Sequence, residues 1–380
     1  MNDRAYDVVL FGATGFTGKL TAEYLVANAG GAQIALAGRN REKLAKLGFD
    51  LPLLHADVED PDTLREMTSS ARVVITTVGP YIKYGEPVVA ACAETGTDYV
   101  DLTGEPEFVD LMYVRHNSKA VETGARIVHC CGFDSIPHDL GAYFTVQQLP
   151  EGVPIKVEGF VRAGGTFSGG TLESALTAFS RVRQWRNVSG ERKRMEPRAD
   201  GRRVRGIRGA PKRQADLGAW ALPMPTIDPQ VVLRSARALD RYGPDFSYGH
   251  YFAVKSLPVA AGIPMGAAAL FAAAQVPPAR RWILSRRKPG EGPTPEQRAK
   301  AWFKVRFEGE GGGSRAVTEV SGGDPGYGET AKMLSESALC LAQDDLPETA
   351  GQVTTAVAMG DALIERLRRA GIGFEVLQKD

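Results

Sequence analysis

Over the first 150 residues, short apolar runs alternate with stretches whose apolar positions recur at helical spacing. The run Val8-Val9-Leu10-Phe11 leaves no place for a solvent-facing side chain, the pattern of a parallel strand buried on both faces. A helix from Lys19 to Ala29 and a second strand from Gln33 to Ala37 follow. The same alternation predicts strands at Leu51–Leu54, Arg72–Val78, Tyr99–Leu102 and Ala125–His129, with helices at Pro61–Ser69, Pro87–Glu94 and Pro106–Thr123. From Pro154 the texture changes. Ile155–Ala163 alternates as a half-buried strand does, and the glycine-rich Gly164–Thr171 leads into a helix over Leu172–Arg183. Ala301–Gly309 and Arg315–Ser321 form a hairpin around Gly311-Gly312-Gly313, and helices follow at Tyr327–Leu341 and Gln352–Ala370.

These elements predict an α/β fold. Residues 1–150 form a Rossmann-type doubly wound parallel sheet, and residues 151–325 a second α+β domain built on an antiparallel sheet. Residues 326–380 form a helical segment able to return to the first domain. The turn Gly12-Ala13-Thr14-Gly15-Phe16-Thr17-Gly18 between the first strand and helix is where a dinucleotide would bind. Gly12 lets the chain leave the strand sharply, Gly15 lets backbone approach a pyrophosphate, and Gly18 lets the helix lie close to the sheet. Amides of the first helical turn then face the phosphates.

The second strand ends in Gly38-Arg39-Asn40, without the Asp or Glu that would hydrogen-bond the ribose hydroxyl of NAD. The Arg39 guanidinium instead suits a 2′-phosphate, so NADP(H) is the expected cofactor. Ligands of such sheets lie beyond the carboxyl ends of the strands. That places Asp57 near the adenine and Thr77, Val78, Gly79 and Pro80 near the nicotinamide half; tight turns alone would also use Gly79-Pro80.

Composition adds three things. The net charge of +1 hides a first domain that is roughly eight charges negative and a remainder roughly nine positive. Arg181–Arg213 is strongly basic, reads as an exposed excursion, and could dock an acyl-carrier protein or a peripheral membrane surface; nucleic acid ranks last, because no base-recognition motif accompanies it. Ser256–Ala279 carries no charge, which fits a packed core, a lipid-facing surface or tunnel, or a span. The four cysteines show no C-x-x-C spacing, so neither a disulfide framework nor a metal site is expected. A polar N-terminus running straight into the first strand fits a cytoplasmic protein, peripheral to the plasma membrane if the uncharged stretch meets lipid.

Several phrases together resemble one family: the glycine turn, Ala37-Gly38-Arg39, Thr76-Thr77-Val78-Gly79-Pro80-Tyr81 with Tyr84-Gly85, Asp101-Leu102-Thr103-Gly104-Glu105, Cys131-Gly132-Phe133-Asp134-Ser135-Ile136-Pro137 and Ala356-Val357-Ala358-Met359-Gly360-Asp361. The chain resembles the saccharopine dehydrogenase-like oxidoreductases, most closely the actinobacterial trans-acting enoyl reductases of phthiocerol and phenolphthiocerol lipid synthesis. That resemblance implies NADP(H) and reduction of a carbon–carbon double bond in a polyketide-type acyl chain. His138-Asp139 stands where the resemblance leads one to expect Ser-Asp, so the substrate could differ.

Enoyl reduction needs a hydride at the β-carbon, a proton at the α-carbon and a donor to the thioester oxygen. The strand-end loops offer Tyr81, Tyr84, Asp134, Ser135 and His138 for the last two tasks, Tyr81 first among them. Each has a structural alternative: loop tyrosines that pack, or Asp134 and Ser135 capping a helix that begins near Ile136. Two other functions compete, a saccharopine reductase-like amino-acid dehydrogenase and a non-catalytic NADP(H)-binding scaffold. A homo-oligomer is compatible with all three.

Overall fold

In the computed structural model, which describes residues 4–164, 176–177, 180–197, 201–276, 278–279, 281, 283 and 292–380, two sheets share the chain. Six strands of the first sheet come from the N-terminal third: β1 (Tyr6–Phe11), β2 (Ile34–Gly38), β3 (Leu53–His55), β4 (Ala71–Thr76), β5 (Asp98–Asp101) and β6 (Arg126–Val128). The second sheet holds β7 (Ile155–Gly164), β8 (Arg203–Gly206), β9 (Lys212–Gln214), β10 (Ala219–Pro223), β11 (Asp245–Val254), β12 (Trp302–Gly311) and β13 (Ser314–Gly322). The chain ends by giving β14 (Gly351–Val353) to the first sheet and β15 (Gly373–Lys379) to the second.

The first sheet has the order β14-β6-β5-β4-β1-β2-β3, and every pairing in it is parallel. Its middle strand is the apolar run read from sequence, with Val8, Val9 and Leu10 wholly buried. The helix Gly328–Gln343 crosses β1, β4 and β5, so a late segment covers the sheet laid down first.

The second sheet has the order β15-β13-β12-β7-β11-β10-β9, with β8 also on β11. Its pairings are antiparallel except that β11 runs parallel to β7 and to β8, which makes the sheet mixed rather than purely antiparallel. The parallel pairing with β7 is possible because 80 residues separate the end of β7 from the start of β11, room enough for a crossover that a hairpin reading does not foresee.

One helix joins the layers. Ile136–Val146 starts at the carboxyl end of β6 and packs on β7, β12 and β13, where a methyl group added at Gly141 would meet the Phe307 ring at 2.3 Å. Asp139, fully buried on that helix, accepts hydrogen bonds from Ser235 Oγ (2.5 Å), Thr355 Oγ1 (2.7 Å) and the Ala356 amide (2.9 Å). One carboxylate thereby ties three distant segments, the pairing that a buried charge requires.

The structure refines three expectations. Arg181–Arg213 is exposed over most of its described residues, as expected, but it is not irregular: it contains the helix Val182–Met195, β8 and the start of β9, and the helix packs along Pro106–Thr123. Arg192 is only 3% exposed, with Nε 2.7 Å from Asp110 and Nη1 2.6 Å from Glu196, while Arg181 forks onto Glu107 at 2.6 and 2.7 Å. Most of the counter-charge comes from a helix some seventy residues upstream, outside any local tally. Gln352–Ala370 is not one helix; β14 occupies its start, and Gly360 at φ +44° separates Thr355–Ala358 from Gly360–Arg369. The uncharged stretch forms the helix Leu257–Gln275, which is exposed over most of its described residues, with Ala260 and Ala274 buried, rather than packed in a core. The start of the expected Leu172–Arg183 helix lies outside the described residues.

Candidate active site

The glycine turn closes on itself. Gly12 sits at φ +102°, and a Cβ there would come within 2.7 Å of Thr77 Oγ1. A Cβ at Gly18 would stand 2.2 Å from the Gly12 carbonyl oxygen, so the helix Phe16–Asn28 meets the turn backbone to backbone. Gly15 differs: its nearest protein atom would be an ordinary 3.5 Å away, so nothing inside the fold demands glycine there. A ligand brought up to the main chain would demand it. No side chain caps the helix, and no acidic residue stands in its first turn, which leaves its positive end to phosphate.

The rest of the nucleotide rim follows the strand ends. Ala13 is buried under the turn and Thr14 is exposed on it, with Phe16 and Thr17 opening the helix. Thr77 donates from Oγ1 to the Gly12 carbonyl (3.1 Å) and thereby joins the ends of β1 and β4; Val78, Gly79 and Pro80 continue from it. Arg39 is exposed immediately after β2, and among the described residues no carboxylate pairs with it. Asn40 caps the next helix, accepting from the Lys43 amide at 2.9 Å. Asp57 follows β3, with its carboxylate accepting from the Glu59 amide. These residues fit NADP(H): an amide-lined helix end for the pyrophosphate and an unpaired guanidinium for the 2′-phosphate.

The five candidates for proton transfer separate. The Tyr81 ring packs against Phe108 inside the sheet, and its hydroxyl donates to the Thr76 carbonyl at 3.0 Å. Burial pushes its pKa well up, with the Asp101 charge adding to the effect. Tyr84 is exposed at the end of the same short helix. The other three stay together after β6, Asp134 and Ser135 on the turn and His138 in the first turn of the helix that follows. Ser135 has a strained φ of +140° and does not cap the helix; its Oγ lies 3.4 Å from Asp228 Oδ1. Asp134 reaches across to the loop after β5, where a methyl group on Gly104 would be 3.0 Å from its Oδ2. Burial first, and then the negative charge of Asp228, push the Asp134 carboxyl up to about 7.

Residues that sequence reasoning missed complete this corner. Asp228 lies in the first turn of the helix Asp228–Ala238, and His250 on β11. His138 Nε2 stands 3.8 Å from Asp228 Oδ1, and His250 Nε2 stands 3.3 Å from Asp228 Oδ2. All three side chains are buried, and the two imidazole rings meet edge to face at 4.9 Å. Burial pulls His138 down to about 4 against the opposing pull of Asp228, whose own carboxyl lies well below the usual range because of the two histidines. Thr226 Oγ1 also donates to Asp228, and the Tyr248 hydroxyl is 3.1 Å from His250 Nδ1. The one signal in the sequence was Tyr248 and His250 at positions i and i+2, on one face of a strand.

A glycine turn of phosphate-binding form, an exposed arginine after β2 and a second sheet domain fit an NADP-dependent oxidoreductase. Residues 8–128 match the family model described as the saccharopine dehydrogenase NADP binding domain. The chain belongs to the trans-acting enoyl reductase family. It is 39% identical to a Mycobacterium tuberculosis H37Rv protein named as a trans-acting enoyl reductase, over 98% of this chain and 97% of that protein. It is 35% identical to the trans-acting enoyl reductase of Mycobacterium ulcerans, over 97% of each. Among solved structures, the apo saccharopine dehydrogenase (L-Glu forming) of Saccharomyces cerevisiae shares the fold, with a TM-score of 0.56 at 13% identity, over 98% of this chain and 100% of that one.

Proposed function

We propose that this protein reduces the carbon–carbon double bond of an enoyl thioester, carried on a lipid or polyketide-type acyl chain, at the expense of NADPH. Bound NADPH would supply the hydride needed at the β-carbon, and Asp134 would hold and deliver the proton to the α-carbon. The observation that carries this reading is the place of Asp134: a carboxyl that holds its proton near neutrality, beside Gly104 where β5 and β6 end. Ser135 and the Asp228 pair hold the turn that presents it. The test is loss of NADPH absorbance with an enoyl thioester and recovery of the saturated product. Asp134→Asn should slow turnover roughly 100-fold or more while leaving NADPH binding intact. Turnover of amino acids but not enoyl thioesters would favour the dehydrogenase reading, and binding without oxidation of either would favour a scaffold.

The Leu257–Gln275 helix supports a place for this reaction at the cytoplasmic face of a membrane. It is uncharged over 19 residues and long and apolar enough to cross a bilayer. It is apolar on every side, with Met265 74% and Leu257 56% exposed, and a helix of that kind needs apolar surroundings all round. Lys255 precedes it, and Arg280 and Arg281 follow in the sequence, charges that suit anionic headgroups. Arg181 and Arg192 of the basic segment are spent on internal ion pairs, so this helix is the stronger candidate for contact with lipid. Sedimentation with phosphatidylglycerol vesicles should carry the protein down, and Met265→Lys with Phe271→Lys should leave it in the supernatant.

A further inference from the structure

We propose that His138, Asp228 and His250 form a binding site for one divalent transition-metal ion of the zinc type, held between the nucleotide domain and the second sheet. Among the described residues, they are the cluster whose ligand atoms converge: one nitrogen from each histidine and one carboxylate oxygen all lie within 4.8 Å of one another. The two imidazoles approach the carboxylate from different sides, one toward each oxygen, at 3.8 and 3.3 Å. Ligands on a tetrahedral ion with bonds of about 2.0–2.1 Å stand roughly 3.3 Å apart, so small side-chain shifts would seat one ion among them.

A second observation is independent of that spacing. His250 Nε2 is buried and makes no hydrogen bond, although Asp228 Oδ2 is its near neighbour. A buried polar atom left in this way is costly unless something else uses it. The opposite side of the ring is held: Nδ1 lies 3.1 Å from the Tyr248 hydroxyl. If Nδ1 donates to the Tyr248 hydroxyl, Nε2 would offer its lone pair to a bound ion, the arrangement in which an outer partner fixes the tautomer of a ligating histidine. Ser135 and Thr226 hydroxyls steady the carboxylate in the same manner. Two imidazoles and one carboxylate form a nitrogen-and-oxygen set suited to zinc, cobalt or iron rather than to magnesium or calcium. The ion would join the Ile136–Val146 helix to the Asp228 helix and to β11, and so fix the second domain over the cofactor.

The test uses untagged full-length protein stripped with a chelator and titrated with Co²⁺ as a visible probe, with Zn²⁺ as competitor and no turnover measured. The expected result is one equivalent of Co²⁺ with the intense bands of a four- or five-coordinate ion, displaced by Zn²⁺ and untouched by Mg²⁺. Asp228→Asn and His250→Gln should weaken affinity about 100-fold or more, and Tyr248→Phe about 10- to 100-fold. NADPH binding by fluorescence checks that each variant is folded; if Asp228→Asn fails that check, the wild-type spectrum and Tyr248→Phe still decide. The weak bands of hydrated Co²⁺ with wild-type protein, or equal affinity in wild type and variants, would overturn the site.

Discussion

Gly18 lies so close to Gly12 that a single methyl group on it would stand 2.2 Å from the Gly12 carbonyl oxygen. The contact is backbone against backbone, and neither side can rotate away. Gly18→Ala should therefore lift the helix off the turn, destabilise the protein by about 1–3 kcal/mol and weaken NADPH binding at least tenfold. Gly15→Ala separates the two effects. Its methyl group meets no protein atom closer than 3.5 Å, so thermal unfolding should be nearly unchanged while NADPH affinity falls as far. Calorimetry of both variants, with and without cofactor, checks this.

Arg39 is expected to set the choice between cofactors. It is exposed, stands at the end of β2, and has no acidic partner among the described residues. Removing a charge-assisted contact costs about 1.5–3 kcal/mol, so Arg39→Ala should weaken NADPH binding roughly 10- to 100-fold. NADH binding should barely move. Equal losses for both cofactors would show that the arginine supports the loop rather than the phosphate.

Asp134 predicts a pH profile. With its pKa at about 7, the acid form that donates a proton is lost as pH rises, so kcat/KM should fall above about pH 7. The profile is to be recorded on chelator-treated protein, because a cation at Asp228 would cancel the negative charge that helps raise Asp134. Stability moves in the same sense. The folded chain keeps this proton while an unfolded aspartate loses it near pH ~3.9, so the contribution is full below that value and drains away as pH climbs to about 7. Asp134→Asn should flatten both curves.

Arg192 tests the packing of the basic segment. It is buried against Asp110, itself wholly buried, and removing one partner leaves an uncompensated charge. Arg192→Ala should cost about 3–5 kcal/mol, seen as a lower midpoint in urea. Arg186→Ala, exposed on the same helix, should change stability by less than about 0.5 kcal/mol. Similar small effects from both would restore the picture of a solvated excursion.

The nucleotide half of the protein was legible along the chain because its determinants are local. A buried strand, a glycine turn and an arginine at the next strand end are fixed by backbone geometry and by neighbours within about thirty residues, and they named the cofactor before any contact was known. The chemistry at the other end was decided by tertiary structure. His138 meets Asp228 and His250 from 90 or more residues away, Arg192 finds Asp110 on a helix some eighty residues back, and Tyr81 turns into the sheet rather than toward a ligand. Nothing in local spacing encodes which charges will be buried side by side. Exposure followed the same rule: the uncharged run from Leu257 was visible as a composition, but only the packing around it, or the lack of it, made it a surface.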